Sequence, residues 1–271
     1  MLSRQFGSCS EPRVLASVNH WPTSWSETVA VSYEKQTVAN PNPIARFAHR
    51  ERMKKSVGFV KPYLTGSATL SDYGCGPGLF LHNLAAEIKA SQPDVKLLGY
   101  DPYMPAQYDD FEVVADSASI GDSSVSILTA FEVCEHLTAP ETEEFIEFAT
   151  RVLRPDGKLL ISVPIEMGPI LLLKEGSRAI LHRRKPATPL AELLRAAFLG
   201  RPATRATDIK SSHRGYDWRV TAKRFSDSFR TERVEFSPLP IKKWFLQSQV
   251  FMLFGTPSTD NLPRSTADDE A

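Results

Sequence analysis

Leu70-Ser-Asp-Tyr-Gly-Cys-Gly-Pro-Gly-Leu-Phe80 is the stretch on which the fold of this chain turns. Leu70 to Tyr73 has the make-up of the end of a buried strand, and Gly74 to Gly78 is a turn nearly bare of side chains. An amphipathic helical pattern follows over Phe80 to Ala90. A strand, a glycine loop and a helix in that order form a small-molecule cradle. Glycine permits φ > 0 and close approach of backbone to ligand, and the start of a helix presents unpaired N–H groups. The spacing departs from the dinucleotide fingerprint G-x-G-x-x-G, whose third glycine would fall where Leu79 stands.

Outward from the loop, Val95-Lys-Leu-Leu-Gly-Tyr-Asp101 is expected to be a second buried strand ending in a carboxylate. A carboxylate about 20 residues past such a loop is placed to grip a ribose diol. Asp101 equally suits a cap or turn before Pro102. Phe111 to Ser117 is expected as a short third strand ending in Asp116-Ser117, where Asp116 is either a ligand or a cap. Val125 to Phe131 is a continuous apolar fourth strand that breaks into Glu132-Val-Cys-Glu135-His136, at the edge where α/β sheets place their chemistry. A helix over Pro140 to Leu153, a turn at Arg154-Pro-Asp-Gly157 and a fifth strand over Lys158 to Pro164 come next. Phe229 to Phe236 and Trp244 to Phe254 supply the sixth and seventh strands, paired as an antiparallel hairpin.

The chain has 271 residues, 42% hydrophobic and 24% charged, enough for one large α/β domain with extensions. Lys plus Arg equals Asp plus Glu at 32 each, so no global field recruits nucleic acid or anionic lipid. Three cysteines, Cys9, Cys75 and Cys134, lack metal-like spacing and fit a reduced compartment. No apolar run reaches the ~18 residues of a membrane span, and no secretory signal is evident, so a cytoplasmic protein is expected. Residues 1–42 are expected to be a flexible extension in which Trp21 and Trp25 are candidates to dock on the main domain, and 256–271 a disordered polar tail. The main domain is set at 43–255, opening with a basic amphipathic helix over Ile44 to Tyr63. Within it, 165–217 carries the apolar run Pro169 to Leu173, the basic run His182 to Lys185 and a helix over Leu190 to Leu199. That segment holds ten Lys and Arg against five Asp and Glu, and is either a lid and acceptor-binding element, with a possible bilayer contact, or an ordinary helical decoration.

The pattern acidic-x-Gly-x-Gly-x-Gly with Asp72 as its acidic member resembles motif I of the class I S-adenosylmethionine (SAM) dependent methyltransferases, of the type 11/12-like kind. The turn and Val-Pro ending of the fifth strand resemble the same region of their small-molecule and quinone-type members. The resemblance implies a Rossmann-like, mostly parallel seven-stranded sheet with an antiparallel last strand, helices on both faces and a helical insertion after strand 5. It implies SAM as cofactor, held by Asp72, Gly74, Cys75, Gly76, Gly78, Asp101, Pro102, Asp116, Ser117 and Phe131, with Asp116 accepting from the adenine amino group. The acceptor is expected to be small or lipid-like, methylated at oxygen, with His136, Glu135 and His213 as catalytic candidates. His136 is the first base candidate, since histidine exchanges a proton near neutral pH, and a structural histidine is the alternative. Glu132, Glu135 and His136 stand at i, i+3, i+4, which on a helical turn gathers them on one side. The same Glu-x-x-Glu-His string resembles a metal site of the ubiquinone-biosynthesis O-methyltransferases, which makes Mg2+ a candidate second cofactor. Arg46, in Asn42-Pro-Ile-Ala-Arg46, resembles a cofactor-contacting arginine of that family. Asn/Asp-Pro-Pro-Tyr/Phe is missing after the fourth strand, which argues against amino-group methylation of DNA bases, and no nucleic-acid partner is expected. A SAM-binding scaffold without transferase activity is the rival reading. Oligomeric state is left open.

Overall fold

Strict alternation of inward and outward apolar side chains builds a sheet that is buried on both faces. In the computed structural model, which describes residues 42–182 and 188–256, the first strand is Thr69–Tyr73 (β1). It is followed by β2 (Lys96–Tyr100), β3 (Glu112–Val114), β4 (Val125–Phe131), β5 (Leu153–Pro164), β6 (Arg230–Ser237) and β7 (Gln249–Gly255). The spatial order is β3-β2-β1-β4-β5-β7-β6. β1 to β5 are mutually parallel where they pair, and β7 runs antiparallel to both of its neighbours.

Helices α1 (Pro43–Val60), α2 (Leu79–Ile88), α3 (Ala139–Val152), α4 (Ile170–His182), α5 (Leu190–Leu199) and α6 (Trp218–Ser226) surround the sheet. Along β7 the period of two is plain: Val250, Met252 and Phe254 join the core beneath α3 and α6, while Phe251 and Leu253 join the core beneath α1 and α2. β5 divides the same way, with Leu159, Ile161 and Val163 on one side and Leu160 on the other. α3 starts where the sequence says it should, since Thr138 and Glu141 form a reciprocal capping box and Pro140 fits the first turn. Leu171, Leu193 and Ala196 pin α4 and α5 together as a separate small cluster.

Three expectations change in detail. The expected turn Arg154 to Gly157 is absorbed into β5 as a bulge: pairing with β4 jumps from Val125↔Leu153 to Ile127↔Lys158. Gly157 lies there because a Cβ would stand 2.9 Å from the Arg154 carbonyl oxygen. The third strand shrinks to Glu112–Val114, as befits an edge with Glu112 and Val113 exposed. The expected seventh strand is a 3-10 turn at Trp244–Leu246 and then β7, which pairs between β5 and β6, so the expected antiparallel hairpin ends the sheet. The expected extension with Trp21 and Trp25, the tail beyond Thr256 and the basic residues Arg183 to Lys185 lie outside the described residues.

Candidate active site

Strand order reverses direction between β1 and β4, the switch point at which α/β sheets form a crevice beyond the carboxyl ends of their strands. The glycine loop lies on one side of it. Gly74, Gly76 and Gly78 take φ of 72°, 54° and 88°, values that side-chain-bearing residues rarely adopt. Gly78 also caps α2, and a Cβ on it would stand 2.2 Å from the Phe111 ring, which fills the gap between loop and strand. The Gly74 and Cys75 N–H groups donate to the Tyr100 carbonyl at 2.7 and 3.1 Å, locking the loop to the end of β2.

Two carboxylates flank this loop. Asp72 is buried at the end of β1, and its Oδ1 accepts from the Thr129 hydroxyl at 2.6 Å. Burial pushes its pKa up to about 7, Thr129 pulls it back, and the charge of Asp101 adds to the rise. Asp101 is held by backbone: Oδ2 accepts from Gly76 N at 2.9 Å, and Oδ1 from Tyr103 N and Met104 N at 2.8 and 2.9 Å. Three of its about four lone-pair sites are thus engaged, so Asp101 shapes the loop as much as it offers itself to a ligand. Pro102 beside it is exposed, and Cys75 is buried with its thiol pKa raised by desolvation.

The third-strand residues act locally. Asp116 Oδ1 accepts from Ala118 N at 2.9 Å as the cap of the 3-10 turn Ser117–Ser119, and the Ser117 carbonyl accepts from Arg151 at 3.2 Å. Asp116 is exposed, so its second oxygen is open to solvent. Phe131, at the end of β4, meets Phe80 edge-on at 4.7 Å and is shared between strand and helix α2.

Beyond β4 the chain turns sharply. Glu132 has φ of 58°, an unusual value for a side-chain-bearing residue, and its carboxylate pairs with Arg52 of α1 at 2.8 Å and with Gln249 of β7. Glu132 is therefore committed to α1 and β7, and the expected grouping of Glu132, Glu135 and His136 does not form. Cys134–His136 is a 3-10 turn, not an α-turn, and His213 takes the third place instead. His136 Nε2 and His213 Nε2 stand 3.1 Å apart, and His213 Nε2 stands 3.8 Å from Glu135 Oε1. The other nitrogen of His136, Nδ1, lies 3.0 Å from the Ile209 carbonyl. A carbonyl only accepts, so Nδ1 carries the proton and Nε2 faces the cluster with its lone pair. Glu135 is fully buried, and neither of its carboxyl oxygens has a hydrogen-bond partner among the described residues. Burial, with the nearby Glu132 charge, raises its pKa well above the carboxylate range, while burial lowers that of His213.

Two arginines escape a reading of the sequence. Arg205 donates to the Glu135 carbonyl at 2.6 Å and to the Ser212 and Arg214 carbonyls at 3.0 and 3.2 Å, so it ties the loop bearing His213 to the turn bearing His136. Nothing local to Pro202-Ala-Thr-Arg205 signals this. Arg46 is exposed, and the arginine of α1 that reaches the sheet edge is Arg52, two helical turns further on. For Mg2+, which prefers an all-oxygen shell, one carboxylate and two imidazoles are a poor donor set.

A family profile described as a methyltransferase domain matches residues 44–223. No curated protein matches the chain. Among solved structures, the PH0226 protein of Pyrococcus horikoshii is similar in fold, with a TM-score of 0.54 and 14% identity over 85% of this chain and 99% of that one. A SAM-dependent methyltransferase from Aquifex aeolicus aligns with a TM-score of 0.45 and 15% identity over 80% of this chain and 94% of that one. The 1,6-didemethyltoxoflavin-N1-methyltransferase of Burkholderia thailandensis aligns with a TM-score of 0.48 and 15% identity over 91% of this chain and 99% of that one.

Proposed function

We propose, from the premise that this chain belongs to the methyltransferase-domain family and is a SAM-dependent methyltransferase, that it methylates a small or amphiphilic acceptor at oxygen. One observation carries the placement of the cofactor: three left-handed glycines at alternate positions, bracketed by the carboxylates of Asp72 and Asp101, at the switch point of the sheet. SAM supplies a sulfonium methyl when bound, and the protein's task is to hold cofactor and acceptor in line. Such positioning supplies roughly 7–11 kcal/mol of a barrier.

In this reading the loop Gly74 to Gly78, with Cys75, lies against the amino-acid and sugar portions of SAM. Asp72 has one hydrogen bond and a raised pKa, a state that a ligand ammonium relieves. Asp101 takes a ribose hydroxyl on its remaining lone pair, with Pro102 beside it. Asp116 uses its outward oxygen for the adenine amino group, flanked by Ser117, and Phe131 closes the floor. His136 Nε2 is the first group to accept the acceptor's proton, with His213 in position to pass it outward and Glu135 behind them.

The insertion at 165–217 supports an amphiphilic acceptor. Leu190, Leu194 and Phe198 form an exposed row at i, i+4, i+8 on α5, and Pro169, Phe198, Leu199, Trp244 and Phe245 line much of a cavity of about 400 Å³ beside it. Among the described residues, no helix is long and apolar enough to cross a membrane.

The test is calorimetry with SAM, then transfer of labelled methyl to a panel of phenols, catechols and their prenylated analogues. SAM binding with label on an acceptor oxygen is expected. Binding with no transfer to any acceptor in a metabolite extract leaves the scaffold reading, and label found on nitrogen overturns the oxygen assignment.

A further inference from the structure

The cluster of Glu135, His136 and His213 has a feature that proton transfer leaves unexplained. A carboxyl group buried to 0% exposure, with both oxygens lacking a hydrogen-bond partner among the described residues, is costly. This one lies with two imidazole nitrogens, and one ligating atom from each of the three residues falls within 4.8 Å of the others. The His136 nitrogen remote from the cluster is occupied by the Ile209 carbonyl at 3.0 Å. That is the arrangement by which a ligating histidine is oriented, with its proton on the far nitrogen and its lone pair toward the ion.

We propose that Glu135, His136 and His213 form a binding site for one borderline divalent cation of the zinc, cobalt or iron(II) class. Two imidazoles and one carboxylate match what such ions take, with positions left open for an oxygen ligand from outside the protein. One of the three ligand pairs already stands at the spacing an ion imposes, and the others lie within 4.8 Å. Ligand atoms about 2.1 Å from a shared ion stand about 3.0–3.4 Å from each other. The two Nε2 atoms are 3.1 Å apart already, and the 3.8 Å from His213 Nε2 to Glu135 Oε1 closes with a small turn of either side chain. His213 is free to make that turn, because its side chain is 32% exposed. The surrounding charges are paired: Glu132 and Glu166 act on His213 as negative neighbours, and Arg52 holds Glu132. Lys174 offsets Glu166 at 2.5 Å, and the Arg205 guanidinium contacts the backbone of Glu135 rather than its carboxylate.

The ligand set differs from the one that spacing suggests, since His213 is 77 residues away from His136 and Glu132 is held by Arg52. With the cation bound, the His136 lone pair is engaged, so the proton-accepting role proposed above belongs to the metal-free protein. The inference does not rest on SAM binding, and failure of either leaves the other standing.

The test uses the full chain without a histidine tag, stripped with chelator and titrated with Co2+ in the spectrophotometer and with Zn2+ in the calorimeter. One ion per chain is expected, with visible Co2+ ligand-field bands. His213→Ala and Glu135→Gln should each weaken binding at least about 10-fold, Glu132→Gln should leave it within about 2-fold, and Mg2+ should not displace Zn2+. His213 is partly exposed, so its variant reports even if Glu135→Gln unfolds, and circular dichroism distinguishes the two. Absence of Co2+ bands, or Zn2+ affinity unchanged in His213→Ala, overturns the site.

Discussion

At the scale of single residues, Asp72 shows how a site stores a cost that its ligand removes. Its folded pKa of about 7 lies above the ordinary 3.8, so the protonated form is the one the fold favours. The sign follows: the stability tied to this group is fully present below the ordinary value and is lost as pH rises through about 7. In the proposed placement the SAM ammonium binds the ionised form. SAM affinity is therefore expected to fall roughly 10-fold from pH 8 to pH 6, with proton release in calorimetry near pH 6, and Asp72→Asn should flatten the dependence. The same variant should melt higher than the parent at pH 8 without ligand; a lower melting temperature there would contradict the account. Asp101 behaves differently. Its three backbone hydrogen bonds mean that Asp101→Ala loosens the loop as well as removing the proposed ribose partner. A loss of about 1.5–3 kcal/mol in SAM binding is expected, and unchanged binding would remove Asp101 from the site. Both aspartates are legible in the sequence, because Asp72 falls near the end of one recognisable strand and Asp101 directly follows another. That Asp101 spends itself largely on backbone is not, since Tyr103 and Met104 carry no pattern for it.

At the scale of elements, what the sequence makes plain is local, and what it hides is tertiary. β1, the glycine loop and α2 come out within a residue or so of expectation, because strand burial, glycine and helix periodicity all point one way. The same holds for α5, expected at Leu190 to Leu199 and found there. The Arg154 to Gly157 bulge is hidden because Pro and Gly mark turns and bulges alike, and only the pairing with β4 separates them. The meeting of His213 with His136 is hidden because it depends on a loop folded back over the sheet edge. That loop is built around Gly215, at φ of 74°, where a Cβ would stand 2.4 Å from the Ala203 carbonyl oxygen. Gly215→Ala should therefore destabilise the chain by about 1–3 kcal/mol in urea titration and depress methyl transfer more than SAM binding. Equal losses in both would mean that the loop serves the cofactor rather than the acceptor.

At the scale of the whole molecule, two apolar cores pack on opposite faces of one sheet, so the proposed cofactor crevice at its switch point depends on the entire domain. A ligand that fills the crevice should stabilise the fold as a unit. At 100-fold excess over its dissociation constant SAM should add about 2.7 kcal/mol, a rise of roughly 5–10 °C in melting temperature. No shift with SAM, or an equal shift with NADH, would count against the crevice as described. The position of β7 has a consequence of another kind. Among the described residues β6 finds its sheet partner only in β7, and β7 also covers the outer rim of β5. The keystone is thus made after the stones it joins. A ribosome halted just short of Gln249 would release a chain whose fifth strand ends in a naked apolar rim, ready to recruit the same rim of another copy. Such a shortened product should pellet on ultracentrifugation rather than persist as a weakened enzyme.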